Sequence, residues 1–273
     1  MAQSIMYRGD NDERGPSPEI WADYPALSVV TNPMLGVHFF DDFVGYDSYV
    51  ASNVGYAGNG WRTYEDNSQS ITQVAVVGGV IRIALTDADT ECAMQLGGAT
   101  GAAFSISDTA GADFKLWFEA RVRSSTITNT ENGFFVGLAG VGAAANTFIA
   151  DAGDDFASNS LIGFWRAEAD GDTVDVIYQK TSGALTTPIT DIATPEADTW
   201  VKLGFKYDPD KPTAERITFY ADGVASSTFV TGTNIATSTF PDAEILTPIF
   251  AAKAATNDTE TVDMDWIRVA QLY

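Results

Sequence analysis

The feature that most constrains this chain is a two-residue alternation that recurs in short runs with no helical period between them. In "WVKLGFKY", Val201, Leu203, Phe205 and Tyr207 fall on one side of an extended strand and Lys202 and Lys206 on the other. "RITFYADGV" returns after a proline-containing loop, and Asp222-Gly223 supplies the two left-handed positions of a tight hairpin turn. "LIGFWRAEADGDTVDVIYQK" reads as a second hairpin. A two-residue turn at Asp170-Gly171 sets Trp165 against Val176, Ala167 against Val174 and Arg166 against Asp175, an apolar face backed by an ion pair. Such runs, rich in Val, Ile, Thr, Phe, Tyr and Trp, continue to the last residue. Strands with one apolar side and no amphipathic helix to cover it must bury that side against each other. The pattern therefore predicts an all-β fold, a sandwich of two antiparallel sheets.

A chain of 273 residues can bury a large core in one such domain. Composition shifts near residue 38. Before it, "YRGDNDERGPSPEIWADYPALSVVTNP" carries four prolines, charges of both signs and isolated large side chains with neither period, so it cannot form a core of its own. It also lacks the Gly/Ser repeats of a flexible linker. Residues 1–38 read as an extended arm that lies on another surface, and residues 39–273 as the sandwich domain. Tyr7, Arg8, Ile20, Trp21, Tyr24 and Leu27 are the arm's candidate partner-binding anchors. Arg8-Gly9-Asp10 matches an integrin-type tripeptide, a match that three residues make by chance.

Fifteen Lys and Arg against 37 Asp and Glu give a formal net charge of -22. Phosphate backbones and anionic lipid surfaces repel such a chain, so nucleic acid and membrane are excluded as expected partners. A single cysteine, Cys92, rules out an intrachain disulfide and leaves the redox compartment open. The N-terminus has no apolar stretch of signal-peptide type. The charge-free run from Asn132 to Ala150 has the length of a membrane span, but its four glycines, with Asn146 and Thr147, favour two buried strands joined by a small-residue turn.

"FEARVR", "GFFVGLAG", "WVKLGFKYD", "ITFYADGV" and "VDMDWIRVAQ" resemble, in that order and spacing, successive strands of the concanavalin A-like lectin/glucanase jelly roll over residues 39–273. The leader "YRGDNDERGPSPEIW" running into "FFDDFVGY" resembles virion proteins of tailed bacteriophages, in which a jelly roll with an N-terminal arm decorates the capsid. The second resemblance implies a non-enzymatic capsid decoration, or cement, protein that binds the major capsid protein on the outer shell. It further implies a homo-oligomer, with a trimer favoured, made in the host cytoplasm. The first implies, as the alternative, a carbohydrate-binding lectin-like module or an inactive relative of a glucanase, with a glycan as partner.

Retaining glucanases of this fold carry Glu-x-Asp-x-x-Glu on the strand after one like "FEARVR", because hydrolysis needs two carboxylates about 5 Å apart across the bond. The strand that follows here, "GFFVGLAG", has no carboxylate, so Glu119 reads as a solvated or ion-paired sheet residue and no catalytic residue is assigned. Phe118, Ala120 and Val122 share the side predicted to be buried. Trp117, Glu119, Arg121 and Arg123 share the other, which is the candidate ligand face toward solvent, a subunit or a sugar. His38, the only histidine, reads as packed or exposed at the arm junction, and no cofactor is implied. Calcium is the one ion the sequence suggests, through Asp87, Asp89, Asp151, Asp154 and Asp155 in oxygen-rich turns that lack EF-hand spacing.

Overall fold

Alternating strands stack into two antiparallel sheets in the computed structural model, which describes residues 14–51, 54–66, 69–97, 101, 103–145, 147–150, 155–157, 159–168 and 172–273. Helices are short: α1 (Pro18–Trp21), α2 (Ala26–Thr31) and α3 (Gly232–Ile235). The strands begin with β1 (Gly36–Asp41), β2 (Ser48–Ala51), β3 (Val54–Ala57), β4 (Trp61–Glu65), β5 (Ser70–Gln73), β6 (Ile81–Leu85) and β7 (Glu91–Leu96). The middle of the chain forms β8 (Leu116–Ser124), β9 (Asn132–Gly140), β10 (Leu161–Arg166), β11 (Val174–Gln179) and β12 (Thr186–Ala193). It closes with β13 (Val201–Tyr207), β14 (Ile217–Ala221), β15 (Val224–Val230), β16 (Leu246–Ala254) and β17 (Glu260–Leu272). One sheet has the order β15-β14-β13-β8-β17-β6-β5, with β1 also paired to β17; the other runs β12-β11-β10-β9-β16-β7-β4-β3-β2.

The core lies between the sheets and takes the apolar side of each strand. Phe118, Ala120 and Val122 of β8, Val201, Leu203, Phe205 and Tyr207 of β13, and Phe134, Val136 and Leu138 of β9 all belong to it, as the alternation predicts. Phe118 and Phe205 stack at 5.1 Å between centroids, and Phe219 meets Phe205 at 5.7 Å and Phe164 edge-on at 5.9 Å. Burying each such side chain contributes about 1.5–3 kcal/mol. The β14–β15 turn is the expected one: Asp222 and Gly223 have φ of 49° and 78°, so both central positions are left-handed.

Two readings are corrected. The β10–β11 register sets Phe164 against Val176 and Trp165 against Asp175. An odd number of residues joins each pair, which excludes the two-residue turn and moves every β10 side chain by one partner. Arg166 therefore does not pair with Asp175; it is fully buried and donates to Asn132 and Thr128. The turn residues Asp170 and Gly171 lie outside the described residues. The run from Asn132 to Ala150 is one strand, β9, followed by a non-strand segment, not two strands. Among the described residues no helix is long and apolar enough to cross a membrane.

β9 and β10 approach closely at Gly137 and Gly163, which face one another under the Phe135 ring. A Cβ on Gly163 would lie 2.5 Å from the Val136 carbonyl oxygen and 2.7 Å from Gly137 Cα. Gly163→Ala is expected to cost about 1–3 kcal/mol in denaturant unfolding. Gly45→Ala, whose Cβ meets nothing within 4 Å, should stay within ~0.5 kcal/mol of the parent.

Candidate functional site

The outward side of the eight-stranded sheet holds the charged residues of the alternation. Five of the nine arginines of this acidic chain gather there: Arg14, Arg82, Arg121, Arg123 and Arg268. The carboxylate acceptors of Arg14, Arg82, Arg121 and Arg123 come from β17, where the register against β8 shifts between Met264 and Trp266. The extra residue lets Asp265 and Trp266 both reach the outer side while Met264 and Ile267 stay in the core. Asp263 accepts from Arg82 Nε at 2.8 Å and from Arg123 Nη2 at 2.8 Å, and Asp265 accepts from Arg14 and Arg121, each at 2.6 Å. Both aspartates are 1% exposed, so each buried charge has the cationic partners it requires. Arg121 and Arg123 also lie over the half-buried Trp200 ring, each 4.6 Å from its centroid.

Most of this face is closed by the chain's own N-terminal segment. Glu119 is fully buried and accepts from the Ser17 backbone N–H at 2.9 Å and from Trp21 Nε1–H at 2.7 Å. Burial pushes its carboxyl above the usual range, while Ser17, Trp21 and the Lys202 charge pull it back. Trp117 is fully buried, donates from Nε1 to Asp23 Oδ1 at 3.0 Å and packs on the Tyr24 ring at 5.3 Å. Lys206 pairs with Asp23 as well. Ile20, Trp21, Tyr24 and Val29 form one cluster with Trp117 and Ala270, and Arg268 lies 4.0 Å over the Trp21 ring. The expectation that Trp117, Glu119, Arg121 and Arg123 face solvent, a subunit or a sugar is thus corrected. Trp117, Glu119 and most of Arg121 lie under residues 14–24, and Arg123 alone of the four keeps a quarter of its side chain exposed. Glu119 is not solvated, because the segment that covers it supplies its donors.

The outward side of the nine-stranded sheet is closed in the same manner. Ala143, Ala144, Phe148, Ile149 and Phe156, from the segment after β9, pack on Tyr64, Phe135, Leu161, Trp165, Ile177 and Ile249. Glu91 fastens this cover: its Oε1 and Oε2 accept from the Phe148 and Ile149 N–H groups, each at 3.0 Å, and Lys253 donates to the Ile149 carbonyl. Burial, opposed by those two hydrogen bonds and Lys253, pushes the Glu91 carboxyl up to about 7.

The remaining sequence candidates are dispersed. Ile20, Trp21 and Tyr24 are buried on the chain's own sheet, whereas Leu27 is 60% exposed. Tyr7, Arg8, Asp151 and Asp154 lie outside the described residues. Asp87 accepts from Gln69, Asp89 occupies a left-handed turn position, and Asp155 caps the Phe156 N–H. Among the described residues no three carboxylate, histidine or cysteine side chains converge as a metal site would need. His38 accepts at Nε2 from Arg268, and burial with that charge drives it down to about 4, so it is neutral. Cys92 is buried and its thiol is pushed well up, mainly by burial. Sequence reasoning missed Glu91, Asp263, Asp265, Arg82 and Trp200. It also passed over one available signal, Gly204 in the middle of "WVKLGFKY". A Cβ there would meet Ile20 Cδ1 at 2.6 Å, and a glycine inside a strand marks such a close approach.

Two outcomes follow from these covers. Glu119→Ala strands two buried donors and should destabilise the protein by about 2–5 kcal/mol, with protease sensitivity appearing first before Gly36; limited proteolysis followed by mass spectrometry checks it. Glu91 has a folded value of about 7 above its ordinary 4.5, so its contribution is complete below about pH 4.5 and is lost as pH rises through about 7. Amide exchange at Phe148 and Ile149, corrected for intrinsic rates, should accelerate over that window.

No family model and no curated protein matches this chain. Solved structures do match. An endo-β-1,4-glucuronan lyase from the fungus Trichoderma reesei superposes with a TM-score of 0.52 at 13% identity, covering 85% of this chain and 94% of that one. The Bacillus licheniformis β-glucanase gives 0.50 at 12% identity, with 86% and 98% covered. The potassium-bound carbohydrate recognition domain of Emp46p gives 0.50 at 12%, with 77% and 88% covered. At these identities the likeness shows the fold: two antiparallel sheets packed as the concanavalin A-like lectin/glucanase jelly roll.

Proposed function

We propose that this chain is a non-catalytic structural protein of a tailed-phage virion, a decoration protein that binds the major capsid protein on the outside of the shell. The observation that carries the reading is that both outward sheet faces are occupied by the chain's own segments, held by Glu119 and Glu91. A sugar-binding or sugar-cleaving role on this sheet would need an open concave face with free polar groups. Here Glu119 spends its oxygens on Ser17 and Trp21, and its sheet neighbours are paired to Asp263 and Asp265. Exposed apolar side chains gather instead around α2 and the C-terminus, at Leu27, Val30, Met34, Leu35 and Tyr273, where a protein partner can cover them. The leader's resemblance to phage virion proteins supplies the partner, and a homo-oligomer, with a trimer favoured, would add avidity on a repeating shell. The net charge of -22 suits a protein coating an exposed surface.

A carbohydrate-binding role is the second reading. It is favoured by Trp200, a half-buried aromatic platform beside Arg121 and Arg123 at the margin of the ligand face.

The test uses the full chain with capsids stripped of decoration proteins. Co-sedimentation and a raised capsid melting temperature are expected. Leu27→Asp combined with Val30→Asp should lower occupancy at least about tenfold, a loss of about 1.4 kcal/mol, without changing the protein's own melting temperature. A glycan array together with reducing-sugar release from β-glucans and glucuronan is the counter-test. Glycan binding lost in Trp200→Ala, or any hydrolysis, with no capsid binding would overturn the proposal.

A further inference from the structure

A third buried glutamate lies where the chain crosses between the sheets from β8 to β9, and its surroundings differ from those of Glu91 and Glu119. Glu260, the first residue of β17, is 4% exposed. Its Oε2 accepts from Asn132 Nδ2 at 2.6 Å, but its Oε1 receives no donor from the protein, and the Glu131 carboxyl lies within hydrogen-bonding reach. Glu131 is held in place from two directions: Thr126 Oγ1 donates to its Oε2 at 2.6 Å, and its carbonyl accepts from the Ala255 N–H at 2.6 Å. The cation nearby is Arg166, fully buried, which donates to Asn132 Oδ1 at 2.9 Å and to the Thr128 carbonyl at 3.2 Å. Its charge acts on Glu131, Glu260 and Asp172, while its hydrogen bonds go to none of the three. Two carboxylates against a guanidinium shared with a third acid leave a surplus negative charge beside the buried Glu260 carboxyl. Two carboxylate oxygens with no hydrogen between them repel.

We propose that Glu131 and Glu260 share one proton, and that this proton fastens the β8–β9 turn to the start of β17 and lets go as the pH rises. With the proton in place, the contact is an O–H···O bond to a carboxylate, the short, charge-assisted kind, and the pair's negative charge falls from two to one. Without it, the turn and β17 repel across the same gap. Burial first, and then Glu131, raise the Glu260 carboxyl to about 7, against the pull of Asn132 and Arg166. The folded value exceeds the ordinary 4.5, so the fastening is complete below about pH 4.5 and fades as pH rises through about 7. Glu91 shares that sign but holds a different segment, so local readouts separate the two.

Amide exchange of the full chain tests the proposal at Ala255, which donates to Glu131, and at Ser125, which donates to Thr261. Between about pH 6 and about pH 8, after correction for intrinsic rates, protection there should fall about tenfold, as the protonated share falls from one unit below to one unit above a value of about 7. Glu260→Gln puts a non-titrating amide donor toward Glu131 and should abolish that pH response while leaving the response at Phe148 intact. Glu131→Gln should do the same with the donor on the other side. Carboxyl carbon-13 titration of the unmutated protein gives a readout that needs no variant: a carboxyl in this pair should titrate near neutrality. Unchanged protection between the two pH values, a wild-type pH response in both variants, or no carboxyl of the pair titrating near neutrality would each overturn the proposal. So would restoration of protection at about pH 8 by millimolar calcium and its removal by chelator, which would assign the pair to a metal ion.

Discussion

Glu119 stands in the middle of β8 with no route to water, and the hydrogen bonds that keep it there come from Ser17 and Trp21, about a hundred residues earlier in the chain. A buried carboxylate without donors is among the most costly things a sheet can contain, so β8 in its observed form depends on residues 14–24 being in place. The dependence is mutual. Ile20, Trp21 and Tyr24 have no core of their own and find one only on Trp117, Ala270 and the bare backbone at Gly204. The N-terminal segment and the central strand of the eight-stranded sheet therefore form one cooperative unit, although they are far apart in sequence and unlike in composition.

The sandwich was legible in the sequence because a period of two needs no long-range knowledge. Val201, Leu203, Phe205 and Tyr207 point inward wherever the strand goes, and the paired left-handed positions at Asp222 and Gly223 fix their turn locally. The β10–β11 register failed for a related reason. Parity of the turn decides which side chains face each other, and the Asp-Gly pair that suggested an even loop sits in a connection with an odd residue count. The candidate face failed for a different reason. Alternation separates two sides of a strand but does not say that the polar side is wet. At Trp117, Glu119 and Arg121 the polar side is buried too, because β17 supplies aspartates to the arginines and the arm supplies donors to the glutamate. Gly204 carried the missing information in a form that periodicity ignores.

The likeness to solved β-glucanase and carbohydrate-recognition-domain structures extends to the fold, two packed antiparallel sheets, and in this chain the outward side of each sheet carries a segment of the chain itself. On one side the cover is aromatic, with Phe148 and Phe156 packed edge-on against Phe135 and Trp165. On the other it is amphipathic, joining the Trp21–Tyr24 cluster to a row of arginine–aspartate pairs. Mixed burial of that kind adds less stability than an all-apolar face but discriminates strongly against alternative dockings, since any shift leaves a guanidinium or carboxylate unpaired.

Both covers end on the same device, a glutamate at 1% exposure or less that accepts two N–H groups from the covering segment, both backbone for Glu91 and one backbone and one indole for Glu119, and has a buried lysine beside it, Lys253 for Glu91 and Lys202 for Glu119. A carboxylate gives such a segment two acceptors in fixed geometry, which an apolar contact cannot. Its desolvation sets the sign of the pH response, because burial raises both carboxyls and folding therefore favours the protonated form. The net charge of -22 acts in the same direction, since protonating any carboxylate relieves repulsion across the whole molecule. The cover that Glu91 fastens is tightest on the acid side of neutrality. The covers loosen before the core does, because each hangs on a buried carboxyl, whereas the core cluster between the sheets is built from aliphatic, aromatic and sulfur-bearing side chains.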